Sequence, residues 1–527
     1  MEETEKKENN EIINYNSQEK IKKWLKNPTN LTVSALFLFI VIVRLYYFFI
    51  TVNQPLWWDE AEYMSAAKGF AGILDYKIGL MRLPTFSLLM STFFITGLSN
   101  EIFMRFIALF IPSIIVLFLF YFVLREMYYD KRIAFISTLI LSLLWEHLFF
   151  SNRFHTENFS LIFEFLVFFV LFRVCLKKKN LWLIKPKNSL FFIIIFSILS
   201  ILFRPGTAMF IPAVFLFFVA INKSFIFKKR NLLYTIGFVS IAGILGFFIA
   251  SKFGLFAYLN LREPISWIPL TMFYGFFQSV IPKIPSIFFY TFLFGLFLVF
   301  FDIFTNLSKI KRINDSEEDL EIKSDLLNLL VIISVMVFFI FIMRANAFEF
   351  RWFFPLLIPL LAFTSKGAVF FADFVGSFIK NKKIILIIII LIVGIGCYNQ
   401  LIHADQIIKI KVDSYSQVKD SGLWLKNHTS KDDLVVSASS TQTPYYSERK
   451  TIGFIFNSSN SSEEIFNEKI KELKPKYIVI SVFEPSYTPE WVYTWPQRNN
   501  QSAIPVQVYY SDLQQTQPLL VIYEIKY

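Results

Sequence analysis

Three acidic residues, Asp59, Glu60 and Glu62, stand within four positions in the stretch QPLWWDEAEYMSAA, directly after the first long apolar segment. Carboxylates beside a membrane are costly unless they have partners or a function. Such a group can act as a general base or bind a metal ion, and Asp59 is our candidate for a base. Asp59 and Glu60 would also suit the first turn of a helix. Glu62 is expected on the helix surface, and the two tryptophans are expected to anchor the chain at the membrane interface.

Ionisable residues cluster at four more places along the chain. The clusters are SNRFHTEN (Arg153, His155, Glu157), FRPG (Arg204), LREP (Arg262, Glu263) and RANAFEFRW (Arg344, Glu349, Arg351). Several arginines on one surface suit a phosphate, because each guanidinium offers two parallel N–H donors. A phosphate at the boundary of a membrane suggests a lipid phosphate. We interpret the LREP cluster as structural.

These residues also have structural interpretations. Arg153 and Glu157 have the spacing of an ion pair within one helix. Arg204 and Arg351 could instead extend from a span to the membrane interface. His155 is a weak candidate for a metal ligand, since the chain has only four histidines. A divalent metal is possible, but the nearby acids are too few to predict one, so no metal site is assigned.

Long apolar segments must position these clusters. The chain has 527 residues, is 55% hydrophobic and has a mean hydropathy of +0.52. Soluble domains rarely repeat apolar runs of about 20 residues, so we predict a polytopic α-helical membrane protein with about 11 transmembrane helices. Two short helices are expected to meet at FRPG, because Pro and Gly interrupt a helix. The predicted spans are 31–51, 101–124, 133–150, 159–176, 189–203, 205–221, 232–250, 286–305, 326–343, 353–375 and 384–400.

The distribution of Lys and Arg predicts the orientation. The segments on the N-terminal side of the membrane hold 25 basic residues, and those on the other side hold 10. Cytoplasmic loops carry the excess, so residues 1–30 are expected to form a cytoplasmic tail of a plasma-membrane protein. Residues 31–404 form the transmembrane module, with a large first outer loop at 52–100. All the ionisable clusters then lie on the outer side, where a shared cavity is expected, whereas KKKNLWLIKPKN is interpreted as an inner-side anchor.

The composition changes after about residue 405. VVSASSTQTPYYSERK and KYIVISVF contain short β-rich runs separated by turn residues. SYSQVKDSGLWLKNHT has the apolar spacing of an amphipathic helix. We therefore predict that residues 405–527 form a small extracytoplasmic α/β domain.

Composition also argues against two other classes of function. The net charge is +12, but no soluble basic domain is present to bind nucleic acid, and the positive-inside bias accounts for the charge. The two cysteines both lie in apolar runs, so neither a disulfide framework nor a cysteine-based metal site is expected.

The order of these features resembles the C-type (GT-C) glycosyltransferases that use polyprenyl-phosphate sugars, in the branch of the protein O-mannosyltransferases and the lipid A aminoarabinose (ArnT-like) transferases. Members carry an Asp-Glu pair in a large first outer loop, matched by Asp59 and Glu60 in WWDEAEY. A Pro-containing segment before the second span is matched by GLMRLPTFSLL. An arginine near the start of that span is matched by Arg105.

Later motifs extend the resemblance over about residues 30–450. NRFHTEN matches a loop with Arg and then an acid, although the family more often has Asp where this chain has Glu157. FRPGTAMFIP matches a segment with a basic residue before Pro or Gly, here Arg204. FRWFFPLLIPLLAF resembles an Arg-Tyr motif followed by two prolines, with Trp in place of Tyr after Arg351. WWD also occurs in oligosaccharyltransferase, but there it belongs to a C-terminal domain and continues with Tyr-Gly.

The resemblance implies inverting transfer of a sugar from a polyprenyl phosphate to an extracytoplasmic hydroxyl of a protein, lipid or glycan. Asp59 would be the base and Glu60 would position the acceptor. Arg204 and Arg351 would bind the donor phosphate, with Arg105, Arg153 and Glu157 in supporting roles. The alternative is a transporter or flippase of a lipid-linked sugar. That class predicts polar residues near the bilayer midplane and two matching halves, whereas this chain has few mid-span charges, mainly Arg44 and Glu164.

Overall fold

The computed structural model describes most of the chain. The described residues are 26–79, 82–221, 244, 246–248, 250–259, 262–277, 286–306, 317–344, 349–456, 462–511 and 515–527.

Eight helices within the described residues are long and apolar enough to cross a membrane. They are α1 (Pro28–Thr51), α4 (Glu101–Met127), α7 (Glu157–Leu176), α8 (Pro186–Phe203), α11 (Ile287–Thr305), α12 (Asp319–Met343), α13 (Phe350–Ile379) and α14 (Lys382–Lys411). Each coincides with a predicted apolar segment, which confirms a multi-pass membrane protein.

The other three predicted segments have different outcomes. The segment 133–150 is divided at Leu144, whose extended backbone (ψ 122°) separates α5 (Lys131–Leu143) from α6 (Trp145–Phe150). The segment 205–221 is the short apolar helix α9 (Pro205–Ile221). It follows α8 after a break at Arg204, as expected from FRPG. Most of 232–250 lies outside the described residues, as do residues 1–25 of the predicted tail.

Three shorter α-helices also belong to the described part of the transmembrane module. They are α2 (Trp58–Phe70), α3 (Thr85–Ile95) and α10 (Ile268–Phe276). Helix α2 is polar and follows α1 directly, so the acids of WWDEAEY lie where the chain leaves the first span.

Two glycines allow close packing of α11 against α13. A Cβ atom at Gly295 of α11 would overlap the carbonyl oxygen of Phe363, and one at Gly367 of α13 would overlap that of Thr291. Small residues allow helix backbones to approach this closely in a membrane, where hydrophobic burial contributes little to helix association. The contact fixes α13, whose first turns carry Arg351.

The C-terminal region folds as a small α/β domain, as predicted. Its five strands have the order β2-β1-β3-β5-β4; β1 pairs in parallel with β2 and β3, and β5 pairs antiparallel with β3 and β4. The strands are β1 (Val435–Ser437), β2 (Thr451–Ile452), β3 (Tyr477–Ser481), β4 (Ala503–Tyr510) and β5 (Pro518–Ile525). The helices are α15 (Ser416–His428), α16 (Gln442–Ser447), α17 (Glu463–Leu473) and α18 (Glu490–Arg498). Helix α14 ends at Lys411, just beyond the predicted boundary at 404.

Helix α16, which contains most of the TPYYSERK stretch, joins this domain to α2. Leu56 N donates to Tyr446 Oη at 2.8 Å, and Ser65 Oγ donates to the Thr441 carbonyl at 2.9 Å. Lys68 is buried and binds Glu448 Oε1 at 2.7 Å. These contacts hold the acid-bearing helix between the spans and the C-terminal domain.

Candidate active site

Asp59 lies in the first turn of α2 with both carboxylate oxygens bound by arginines. Oδ1 accepts from Arg82 Nη2 at 2.6 Å, and Oδ2 accepts from Arg351 Nη2 at 2.7 Å. The side chain is one quarter exposed, so solvent can still reach it. The carboxylate that caps α2 is that of Glu60, whereas Asp59 lies in the first turn of the helix. This position and the two ion pairs both favour the charged form of Asp59.

Arg82 was not identified as a site residue by sequence analysis, although it lies in the quoted stretch GLMRLPTFSLL. It forms a second ion pair with Glu62, whose Oε1 also accepts from Gly79 N at 3.0 Å. Glu62 is buried by these contacts, so its predicted place on the helix surface is wrong. The spacing of Asp59 and Glu62, one helical turn apart, was the available signal for a shared basic partner.

Arg351 connects the first outer loop to the start of α13. Besides Asp59, Arg351 contacts His155, and its Nη1 lies 3.1 Å from Nδ1 of that imidazole. The Nε atom of Arg351 forms an ion pair with Glu349. Nη1 also lies 3.5 Å from Glu157 Oε1. The guanidinium is nearly buried, and the ring of Phe150 lies 5.3 Å from its centre. Arg351 therefore does not simply extend toward the interface, because it is the hub of the cluster.

Glu157 and Arg204 form the other side of the cluster. Glu157 is the first residue of α7, and its Oε1 lies 3.1 Å from Arg204 Nη1. Arg204 lies at the break between α8 and α9, where its extended backbone projects the side chain toward this carboxylate. The chain thus brings together four of the predicted site residues: Asp59, Glu157, Arg204 and Arg351.

Glu60 has a different environment from Asp59. It is fully buried; Oε2 accepts from Trp57 N at 2.9 Å and from Arg153 Nη1 at 3.0 Å, and Oε1 accepts from Phe154 N at 2.8 Å. Arg153 in turn lies 3.6 Å from the centroid of the Trp57 ring. The expected helical ion pair between Arg153 and Glu157 is absent, because residue 153 belongs to the loop before α7. This burial does not fit direct contact of Glu60 with an acceptor.

Arg105 is also fully buried and supports the same loop. It donates to the Gln54 carbonyl at 2.7 Å and pairs with Glu101 on its own helix at 2.8 Å. Arg44, which lies within the span α1, donates to Ser151 Oγ at 2.5 Å and contacts His147 Nδ1 at 2.8 Å. Arg105 thus holds the backbone that precedes α2, and Arg44 holds two side chains that precede the loop of Arg153.

The two tryptophans pack within the protein rather than serving only as interface anchors. Trp57 packs against both Arg153 and Phe149, and the ring of Trp58 stacks on Tyr487 of the C-terminal domain at 4.7 Å. In the LREP cluster, the Glu263 carbonyl accepts from Arg344 Nη1 at 2.5 Å.

The electrostatics of the cluster favour a permanently charged Asp59. Burial alone would raise the pKa of this carboxyl, but Arg82 and Arg351 outweigh it and hold the pKa well below its usual range. Burial and the adjacent Arg351 lower the pKa of His155, so its imidazole is neutral at pH 7 and accepts from Arg351. Within the described ranges, no group of three or more His, Cys, Asp or Glu side chains is placed to hold a metal ion.

Acids and arginines nearly balance in this cluster. Four carboxylates surround three guanidinium groups, so every cation already has an anionic partner. Arginines held this way can exchange a carboxylate for a phosphate, which offers more acceptor oxygens and a higher charge. The acids are Asp59, Glu62, Glu157 and Glu349, and the arginines are Arg82, Arg204 and Arg351.

Comparison with known proteins gives a match in structure alone. No family model matches the sequence, and no curated protein matches it. The structure is similar to the oligosaccharyltransferase of Archaeoglobus fulgidus tethered to an acceptor peptide, with a TM-score of 0.55, 13% identity, and coverage of 96% of this chain and 75% of that one. The same organism's enzyme AglB, in complex with an inhibitory peptide and a dolichol-phosphate, gives a TM-score of 0.56, 13% identity, and coverage of 95% and 75%.

A second similar structure is ArnT from Cupriavidus metallidurans bound to undecaprenyl phosphate. The TM-score is 0.50 at 11% identity, and the match covers 94% of this chain and 98% of ArnT. At such low identity the likeness establishes the fold alone. The chain is therefore a multi-pass membrane protein with the GT-C fold and a small C-terminal α/β domain, as the sequence motifs indicated.

Proposed function

We propose that the protein is a glycosyltransferase that moves a sugar from a polyprenyl-phosphate donor to a hydroxyl group of an acceptor, with inversion at the anomeric carbon. The observation that carries this proposal is the position of Asp59 between Arg82 and Arg351 at one end of a GT-C bundle. Glu157 joins Arg204 to the same cluster. The similar structures were determined with dolichol-phosphate, undecaprenyl phosphate or an acceptor peptide, which supports this choice of substrates.

The arginines would bind the donor phosphate by exchanging partners. Arg351 and Arg204 are paired with Asp59 and Glu157, so the phosphate must compete with these carboxylates for the same N–H donors. Each charge-assisted hydrogen bond gained is worth about 1.5–3 kcal/mol. When Arg351 turns to the phosphate, Asp59 loses one of its two cationic partners. Its pKa then rises toward the ordinary range, which makes it a stronger base.

The reaction needs a single displacement. The acceptor oxygen attacks the anomeric carbon while its proton passes to an Asp59 oxygen, and the bond from that carbon to the phosphate oxygen breaks. The departing polyprenyl phosphate keeps the bonding electron pair, and the arginines stabilise the charge that develops on it. A positioned base typically contributes about 10²–10⁴-fold to the rate. No acid has to protonate a phosphate leaving group.

Glu60 and Glu157 would act through other residues. Glu60 is buried against Arg153 and the N–H groups of Trp57 and Phe154, so we propose that it fixes the first turn of α2 in place of contacting an acceptor. Glu157 would hold Arg204 and Arg351 at a common point. The opening of the site to the outside of the plasma membrane is likewise part of the proposal, and it follows from the distribution of basic residues.

Incubation of the purified protein with a panel of labelled polyprenyl-phosphate sugars tests the function. We expect one donor to be consumed with release of polyprenyl phosphate, because the arginine cluster is suited to that leaving group. Arg351→Ala and Arg204→Ala should weaken binding of polyprenyl phosphate by about 10-fold or more. Arg498→Ala, which removes a surface arginine of the C-terminal domain, is the control. Normal phosphate binding by both site variants would contradict the proposal.

A further inference from the structure

The loop between α7 and α8 ends in an unusual exposed turn. Leu181 N donates to the Ile184 carbonyl at 2.9 Å, and Ile184 N donates back to the Leu181 carbonyl at 2.7 Å. The two residues between them are Trp182, which is 96% exposed, and Leu183, which is 82% exposed. Ile184 is buried in the bundle core, so one side of the turn is anchored while its tip points away from the protein.

The backbone of this turn is held in an unfavourable conformation. Trp182 has a φ of +48°, in the left-handed region that bulky residues avoid and that Asn or Gly usually occupies in such turns. Asn188 braces the turn: its Oδ1 accepts from Lys185 N at 2.6 Å, and its Nδ2 donates to the Leu183 carbonyl at 3.2 Å. The fold thus constrains two large apolar side chains to point outward, which favours a binding role for them.

The surroundings of the tip are strongly basic. The segment 177–188 holds five lysines and no acid. Lys177 is paired with Glu126 of α4 at 2.9 Å. The other four are exposed, and no described ion pair involves them: Lys178, Lys179, Lys185 and Lys187.

The tip lies at the far end of the spans from the candidate active site. Helix α7 ends at Leu176 and α8 begins at Pro186, so the turn emerges where two adjacent spans leave the bilayer. The 20 residues of α7 place it roughly 30 Å from Glu157. An apolar tip surrounded by unpaired lysines at that level matches a surface of acyl chains beneath anionic headgroups.

We propose that the Trp182–Leu183 tip inserts into the membrane leaflet opposite the candidate active site and that the four lysines bind anionic phospholipid headgroups there. The sequence alone indicates only a basic anchor. The turn geometry adds an apolar tip, Trp182 and Leu183, which we call the wedge, and so predicts a specific lipid site. This site does not depend on the proposed enzymatic function.

Lipid binding by the full-length protein tests the lysines. The protein is exchanged into mixed micelles with equal amounts of labelled phosphatidylglycerol and phosphatidylcholine, and the retained ratio is measured. We expect excess phosphatidylglycerol on the wild type and a fall of about 10-fold or more when Lys178, Lys179, Lys185 and Lys187 become Gln. The matched control removes the same charge from exposed lysines of the C-terminal region, Lys411, Lys431, Lys450 and Lys474. An unchanged ratio in the first variant would overturn the headgroup site.

Fluorescence tests the wedge. The difference between wild type and Trp182→Phe reports the emission of Trp182 in vesicles that contain phosphatidylglycerol. We expect brominated acyl chains to quench this difference and aqueous iodide to leave it unchanged. Quenching by iodide alone would show that Trp182 stays in water, where it is free for a protein partner, and would refute the insertion.

Discussion

Base chemistry and ion pairing compete at Asp59. Its two oxygens are bound by Arg82 and Arg351 at 2.6 and 2.7 Å, which makes the carboxylate stable and weakly basic. The same arginines are the groups that we propose for the donor phosphate. Phosphate binding by these arginines would therefore weaken their hold on Asp59 and make it a stronger base. Single-residue variants can separate the effect on phosphate binding from the effect on the basicity of Asp59.

Asp59→Asn should bind polyprenyl phosphate more tightly than the wild type does, although it slows transfer by about 10²–10⁴-fold. The amide carries no charge, so Arg351 no longer has to leave a carboxylate before it binds phosphate. We expect an affinity gain of about 10-fold or more, because one charge-assisted hydrogen bond no longer has to be broken before the phosphate binds. Equilibrium binding of labelled polyprenyl phosphate measures this gain. Asp75→Asn, an exposed acid of the same loop, is the matched control. Weaker binding by Asp59→Asn would refute the competition.

Arg82→Gln should shift the acid limb of the pH–rate profile toward higher pH. Arg82 is one of the two cations that lower the pKa of Asp59, so its removal raises that pKa and the base is protonated at a higher pH. In the wild type the charged carboxylate contributes stability above the ordinary Asp pKa, and this contribution is lost as the pH falls through the lowered value. Profiles of kcat/KM against pH for the two proteins test the shift. Coincident acid limbs would exclude Arg82 as a partner of the base.

Sequence analysis could predict the residues of the cluster better than their partners. Asp59, Arg204 and Arg351 were identified because charges at the ends of spans are rare. An ion pair between Arg153 and Glu157 was one interpretation of their helical spacing, but a loop at residue 153 turns that side chain back to Glu60. Long-range partners depend on tertiary packing, which local spacing does not report.

At the scale of elements, Gly367→Leu should destabilise the protein strongly. A side chain at this position would overlap the carbonyl of Thr291 on the neighbouring helix, so α11 and α13 would have to separate. Overpacking of this kind typically costs about 1–3 kcal/mol, and the shift of α13 would also move Arg351. Thermal unfolding in detergent measures the loss. Gly394→Leu is the matched control, since open space surrounds that glycine. Equal melting temperatures for the two variants would contradict the packing.

The elements themselves were mostly predictable from hydropathy. Eight apolar segments became spans because their length and composition suffice. The break at Leu144 was not predicted, because the segment 133–150 is long and mostly apolar and contains neither Pro nor Gly. The role of TPYYSERK was also missed: its tyrosines are buried against α2, which only the tertiary structure reveals.

At the scale of the whole molecule, the orientation in the membrane is a direct prediction. From the excess of lysine and arginine on one side, we predict that the Trp182–Leu183 tip lies in the cytoplasmic leaflet and that the C-terminal domain lies outside. A cysteine at Ser486, in the exposed loop after β3, should react with an impermeant thiol reagent in intact cells, and one at Asn180 should react only after lysis. Both would be placed in a Cys175→Ser, Cys397→Ser background. The reverse pattern would move the candidate site to the cytoplasmic face.

The stereochemistry of the product tests the central claim most directly. With the donor identified, nuclear magnetic resonance of the isolated product gives the anomeric configuration of the transferred sugar. A single displacement assisted by Asp59 predicts the configuration opposite to that of the donor, together with a loss of about 10²–10⁴-fold in rate for Asp59→Asn. Retention of the donor configuration, or an undiminished rate for a folded Asp59→Asn variant, would contradict the account.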